Sequence, residues 1–143
     1  MQDPAQSEDS LIFGKYRIIQ RLAIGGMGEI FLARQSDTLI DRFVILKSLL
    51  PDLAANQTFV HQFLGEARVA ATLNHPHIVS IYEVGAWDGI YFIAMEYIDG
   101  PDLSKLLGAA VRARRLVPPH LAARIVLDAA TALEHSTDAR DAD

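Results

Sequence analysis

Residues 21–34 read RLAIGGMGEIFLAR, and after a polar link residues 42–49 read RFVILKSL. Ile, Leu, Tyr and Phe dominate from Tyr16 to Ala23 and again from Glu29 to Arg34, with Gly25, Gly26 and Gly28 between them. That pattern predicts two antiparallel strands joined by an unusually glycine-dense turn. The run Arg42 to Leu49 is apolar almost throughout, as a central strand should be, and Pro51 ends it.

Working outward, residues 1–10 (MQDPAQSEDS) carry no periodic apolar positions and read as a flexible lead-in, with the fold beginning near Leu11. From Gln57 to Leu73 the apolar residues Phe59, Val60, Phe63, Leu64, Ala67, Ala70 and Ala71 recur at three and four, the period of an amphipathic helix. Asn74 and Pro76 close it. Two further strands are expected, Ile78 to Ala86 and Ile90 to Tyr97, around Trp87-Asp88-Gly89, whose Asp-Gly suits a tight turn. Asp99-Gly100-Pro101 breaks the pattern, and helices are expected from Leu103 to about Arg115 and from about Pro118 to His135. The fold class is therefore α+β: a five-stranded antiparallel sheet with one main helix over residues 11–98, two helices over 99–135, and a polar tail at 136–143.

The composition narrows the function classes. Of 143 residues half are hydrophobic and 22% are charged, with a formal net charge of −5, which argues for a globular protein and against nucleic acid as a partner. There is no cysteine, so neither a disulfide framework nor a thiolate metal site is possible, and a reducing cytoplasm is the expected location. No run approaches the length of apolar sequence that spans a bilayer, and the start lacks the features of a signal peptide, so no membrane partner is expected.

Three features carry chemistry. Glycines at a strand turn let backbone amides approach phosphate oxygens, yet the same turn can be only a permissive hairpin. Lys47 lies in an apolar strand, where burying its charge costs several kcal/mol unless an anion accompanies it. Glu66, bracketed by Phe63, Ala67 and Ala70 on the helix, is positioned to supply that carboxylate; the alternative is a lysine that pairs elsewhere or reaches solvent at a strand end. His75-Pro76-His77 admits a metal reading, but no carboxylate or cysteine cluster accompanies it, and a turn is the simpler reading. Arg112, Arg114 and Arg115 read as a solvated helix face, with substrate docking as the alternative.

In order and spacing, RLAIGGMGEIFLAR, FVILK, FLGEARVAATLNHPHIV and YFIAMEYIDGPDL resemble the N-terminal lobe of bacterial Ser/Thr protein kinases of the eukaryotic-like (Hanks-type) family, from about Phe13 to His135. The resemblance implies that ATP is bound: Gly25, Gly26 and Gly28 over the phosphates, Lys47 on the α- and β-phosphates, Glu66 fixing Lys47, and Leu22 and Ile30 against the adenine. It further implies Met95 at the back of the pocket, backbone groups of Glu96 and Ile98 on the adenine edge, and Asp102 near the ribose. Read without the family, Met95 to Ile98 is plain strand core. Two departures stand out. Ala23 replaces the first glycine of the family's Gly-x-Gly-x-x-Gly loop, and Ile45 replaces the small residue of Val-Ala-x-Lys, which narrows the pocket and implies weak ATP binding.

The catalytic residues of the family are expected after the last helix, in His-Arg-Asp and Asp-Phe-Gly motifs; neither triplet occurs in the chain. The sequence thus reads as a kinase lobe that stops short of the catalytic loop, without catalytic residues or the ligands that hold magnesium in the intact family. The stripe Leu121, Ile125, Ala129 and Leu133 is expected to stay exposed, self-associate or dock on another protein.

Overall fold

The structure, a computed structural model, describes residues 12–36 and 41–138. The lead-in expected over residues 1–10, part of the polar link and residues 139–143 of the tail lie outside them. The chain divides into two compact units, Met1–Ala70 with Ile81–Tyr97, and Ala71–Ser80 with Ile98–Asp143.

The first unit is built on one antiparallel sheet whose strands are β1 (Ile12–Phe13), β2 (Tyr16–Ile24), β3 (Gly28–Gln35), β4 (Arg42–Leu49), β5 (Ile81–Trp87) and β6 (Ile90–Glu96). They are ordered β1-β2-β3-β4-β6-β5. The two-residue β1 adds a strand to the five expected. The fifth strand starts at Ile81 rather than Ile78, because the Ile78 amide donates to the His75 carbonyl (3.0 Å) in a turn. Asp88 and Gly89 both take positive φ, 51° and 79°, as a tight hairpin turn requires.

Side chains alternate across the sheet and give it two cores. Val44 and Leu46 of β4 join Phe92 and Ala94 of β6, Phe31, Ala33 and Tyr16 on one face. Leu49 and Ile93 join Val60, Phe63 and Ala67 of helix α2 (Gln57–Thr72) on the other. The buried residues of α2 recur at three and four, and its start is capped by the Asn56 side chain, which accepts from the Thr58 amide at 3.0 Å. Before it, Pro51 opens a single helical turn, α1 (Pro51–Ala54), where proline's missing N–H is harmless.

The sheet curls until its outer strands meet. Lys15 Nζ and the Tyr16 hydroxyl both reach Glu83 Oε2, at 2.9 and 2.6 Å, and Phe13 and Tyr16 pack edge-on against Phe92. Trp87 of β5 lies over the β1–β2 turn, where a side chain at Gly14 would stand 3.2 Å from its ring. A strongly twisted sheet protects its free edges in this way.

The second unit holds α3 (Leu103–Arg112) and α4 (Pro119–Asp138). Helix α3 ends three residues before the expected Arg115. Arg114 takes a left-handed φ of 52°, its amide donates to the Val111 carbonyl (3.0 Å), and the Arg115 amide donates to the Ala110 carbonyl (2.9 Å). That is a Schellman termination with arginine where glycine is usual. Arg114 and Arg115 therefore belong to the helix cap, not to a continuous helix face. The expected stripe Leu121, Ile125, Ala129 and Leu133 is exposed on α4. No helix among the described residues is long and apolar enough to cross a membrane.

Candidate functional site

Register places the site residues. Lys47 is opposite Ile30 of β3 and Ile93 of β6, and Ile30 is opposite Ala23 of β2. Directly opposed residues share a face, so Ala23, Ile30, Lys47 and Ile93 form a row across the sheet. A second row, Leu32, Ile45 and Met95, lies beside it. The outcome is one ammonium on an apolar surface, with Ile45 and Met95 opposed across β4 and β6.

Lys47 Nζ comes to 3.8 Å from Glu66 Oε2. The lysine is less buried than its strand suggests: its side chain is 36% exposed and that of Glu66 57%. An ion pair this open contributes at most about 1 kcal/mol, so it orients the ammonium rather than holding the fold together. Phe63, one helical turn before Glu66, sets its ring 5.7 Å beneath Lys47 Nζ, close enough for a cation–π contribution. Ile93 and Phe63, which support the lysine from the sheet and from the helix, were not singled out in the sequence. Counting strand register from Lys47 and three residues back from Glu66 finds both.

The three glycines of the β2–β3 turn differ in what they do. The Gly25 amide donates to the Gly28 carbonyl at 2.8 Å, and the Leu50 amide donates to the Met27 carbonyl at 3.1 Å, fixing the turn to the end of β4. A Cβ at Gly28 would overlap the backbone carbonyl oxygen of Ser48, whereas one at Gly26 would meet nothing within 4 Å. Gly28 is thus required by the approach of two strands, and Gly26 by no contact among the described residues. Gly26→Ala is expected to leave thermal stability unchanged or raise it by up to about 1 kcal/mol, since it narrows only the unfolded ensemble; a melting curve checks this. Arg21 crosses the hairpin to Glu29 at 3.0 Å. Leu22 falls at the irregularity between Arg21 and Ala23 and is half exposed.

Glu96 closes β6 opposite Val44. Ile98 and Asp102 belong to the second unit, where Ile98 is exposed and Asp102 caps α3. The Lys105 amide donates to Asp102 Oδ1 at 2.7 Å, and Lys105 Nζ lies 3.3 Å from Oδ2. These bonds, the backbone one foremost, hold the Asp102 carboxyl below the ordinary aspartate value. A lowered folded-state pKa means that the cap stabilises α3 above the unfolded-state value and is lost as pH falls through the folded one. The protection factor of the Lys105 amide, the intrinsic exchange rate at a given pH divided by the observed one, is therefore expected to fall on acidification, and an Asp102→Asn chain, capped but uncharged, is expected to lack that acid dependence.

His75 and His77 shape their turn: the His77 amide donates to His75 Nδ1 at 3.2 Å, and the His75 ring stacks on His135. His77 Nε2 lies 3.3 Å from Asp128, which Arg124 also engages at 2.7 Å. Among the described residues no three His, Asp or Glu side chains gather as a metal site.

Known proteins share this fold. The protein kinase domain family matches residues 16–139. The chain is 45% identical over 122 residues to the tyrosine-protein kinase MasK of Myxococcus xanthus, covering 85% of this chain and 19% of that protein. It is 42% identical over 98 residues to the serine/threonine-protein kinase PrkC of Bacillus subtilis, covering 68% and 15%. The chain thus spans less than a fifth of the length of these relatives. Among solved structures, the PknI kinase domain of Mycobacterium tuberculosis superposes with a TM-score of 0.69 at 32% identity, over 92% of this chain and 51% of that one. The chain belongs to the protein kinase family, among its bacterial eukaryotic-like members.

Proposed function

We propose that these 143 residues form the ATP-holding part of a Ser/Thr protein kinase and transfer no phosphate by themselves. One observation carries the reading: Lys47 Nζ stands 3.8 Å from Glu66 on a surface otherwise built of Ile30, Ile45 and Met95. An ammonium held by a carboxylate beside an apolar strip suits a ligand with a flat apolar ring and an anionic tail. In this reading Lys47 meets the α- and β-phosphates and Glu66 keeps it from folding away. Gly25, Gly26 and Gly28 lie over the phosphates, while Leu22, Ile30 and Ile45 cover the adenine. Backbone groups of Glu96 and Ile98 bond the adenine edge, and Asp102, already bonded to Lys105, shares its carboxylate with the ribose.

The 143 residues offer no base for an acceptor hydroxyl, having neither a His-Arg-Asp nor an Asp-Phe-Gly triplet. Magnesium accompanies ATP in the family, but the described residues bring no group of three or more His, Asp or Glu side chains together to hold it. Bound triphosphate would then be met by Lys47 and loop amides alone, and its affinity would be weak. Thermal-shift titration with ATP, with and without magnesium, is expected to raise the melting midpoint of the wild-type chain and leave Lys47→Ala unmoved. An equal shift in both chains would refute the site, and phosphate transfer that depends on Lys47 would refute the proposed inactivity.

A second reading is favoured by the exposed side chains of Leu121, Ile125 and Leu133. Here the chain is a non-catalytic, pseudokinase-like module that docks on a full kinase through α4. A lone monomer by light scattering that binds no full-length kinase would dispose of it.

A further inference from the structure

Strand register sets two cations side by side at the end of the β2–β3 ladder remote from the glycine turn. Arg17 of β2 is directly opposite Arg34 of β3, and both are exposed. Like charges opposed on neighbouring strands destabilise a sheet. Arg34 meets Asp41 at 3.5 Å, but both side chains are half exposed, so that pair is loosely held. Arg17 has no carboxylate partner among the described residues. One open carboxylate therefore faces two guanidinium groups.

Ser36 stands where an added anion would bridge that pair. Its amide donates to the Lys15 carbonyl at 3.1 Å, which carries the β2–β3 ladder one residue past Gln35. Side chains alternate across a strand, so the Ser36 hydroxyl shares the face of Arg34, two residues earlier, and of Arg17, its diagonal neighbour on β2. Diagonal positions lie about 7–8 Å apart, within reach of a long side chain. Ser36 and Arg17 line one concavity of about 190 Å³ together with Ile12 and Gly14, and Ser36 is exposed. Lys15, directly opposite Ser36, is engaged with Glu83 at 2.9 Å, which leaves the two arginines to meet the anion.

We propose that Ser36 is a phosphorylation site whose phosphate is held by Arg17 and Arg34. The donor is ATP and the catalyst a separate, active protein kinase. The bond between the γ-phosphorus and its bridging oxygen breaks, the bond from Ser36 Oγ to phosphorus forms, ADP leaves, and the hydroxyl proton passes to the base of the catalyst. The product carries about two negative charges and three acceptor oxygens, against the single charge of Asp41. Guanidinium groups bind such oxygens through short, charge-assisted hydrogen bonds, so the modification replaces repulsion between β2 and β3 with a bridge across them. The site lies away from Lys47 and does not depend on the nucleotide reading.

The test incubates the full chain with ATP, magnesium and an active bacterial Ser/Thr protein kinase, then maps phosphate by tandem mass spectrometry. Phosphate is expected on Ser36, and Ser36→Ala is expected to lose it. A second arm places phosphoserine at position 36 during translation, by amber suppression, so that its effect on stability is read without a kinase. The melting midpoint is expected to rise by about 3 °C over the unmodified chain. Arg17→Ala and Arg34→Ala are each expected to diminish that rise, measured against the unmodified form of the same variant, and the double variant to abolish it. Arg68→Ala, which removes an exposed arginine of α2, is expected to leave the rise unchanged. No incorporation at Ser36, or incorporation confined to other residues such as Thr38, would overturn the proposal. So would a phosphoserine chain that melts no higher than the unmodified one, or a rise that persists in the double arginine variant.

Discussion

Gly28→Ala is expected to cost about 3 kcal/mol, the upper end for overpacked positions, and to shift the urea midpoint accordingly. A single added methyl group has that effect because of what it meets. In β3 Gly28 is opposite Leu49, and its Cβ position coincides with the carbonyl oxygen of Ser48. A flexible side chain would rotate aside, but a backbone carbonyl of a central strand cannot without breaking the β3–β4 ladder. The displacement would pass to Leu49, fully buried against α2, and to Lys47 two residues earlier. Lost stability and lost nucleotide response are therefore expected together. The neighbouring Gly26→Ala supplies the contrast, since its added methyl meets open space. A Gly28→Ala chain with the wild-type midpoint would show that β3 and β4 pair in another register.

Phe63→Ala is expected to destabilise the chain by about 3–5 kcal/mol, the range for emptying an aromatic site in a core. Phe63 is only 1% exposed and is the largest side chain that α2 contributes to the core it shares with Leu49 and Ile93. The same ring underlies Lys47 Nζ, and Glu66 sits one turn further along the helix. Removing it loosens α2 and leaves the lysine without its support from below. Conservative Phe63→Leu, which keeps most of the volume, is expected to recover much of the stability but not the cation–π contact. Comparing denaturation midpoints and ATP shifts for the two variants separates packing from positioning; equal midpoints for Phe63→Ala and wild type would contradict the assigned packing of α2.

Much of this arrangement was legible in the sequence because spacing encodes it. The apolar period over Gln57 to Leu73 gave α2 almost to the residue, and the nearly continuous apolar run from Arg42 to Leu49 gave β4. Lys47 and Glu66 were legible as a pair because a charge in an apolar strand demands an anion. What stayed hidden depends on long-range geometry. Nothing local marks Ile12–Phe13 as a strand; it exists because the curled sheet brings Phe13 to Phe92. The end of α3 was misplaced because its left-handed residue is Arg114, where glycine would have announced the stop. Gly28 was read for its permissive turn, whereas the carbonyl of Ser48 is the constraint, and only pairing reveals it. The openness of Lys47 likewise reflects the length of its side chain, which carries the charge out of an apolar strand.

The seam where the outer strands meet also gives the molecule an optical label. Trp87 is the sole tryptophan of the chain, and it rests half exposed over Gly14 at that seam. Its indole emission therefore reports the opening of the curled sheet of the first unit. Fluorescence follows one unit, helical circular dichroism weights the other, and the two signals together distinguish a chain that melts as a whole from one that comes apart in stages.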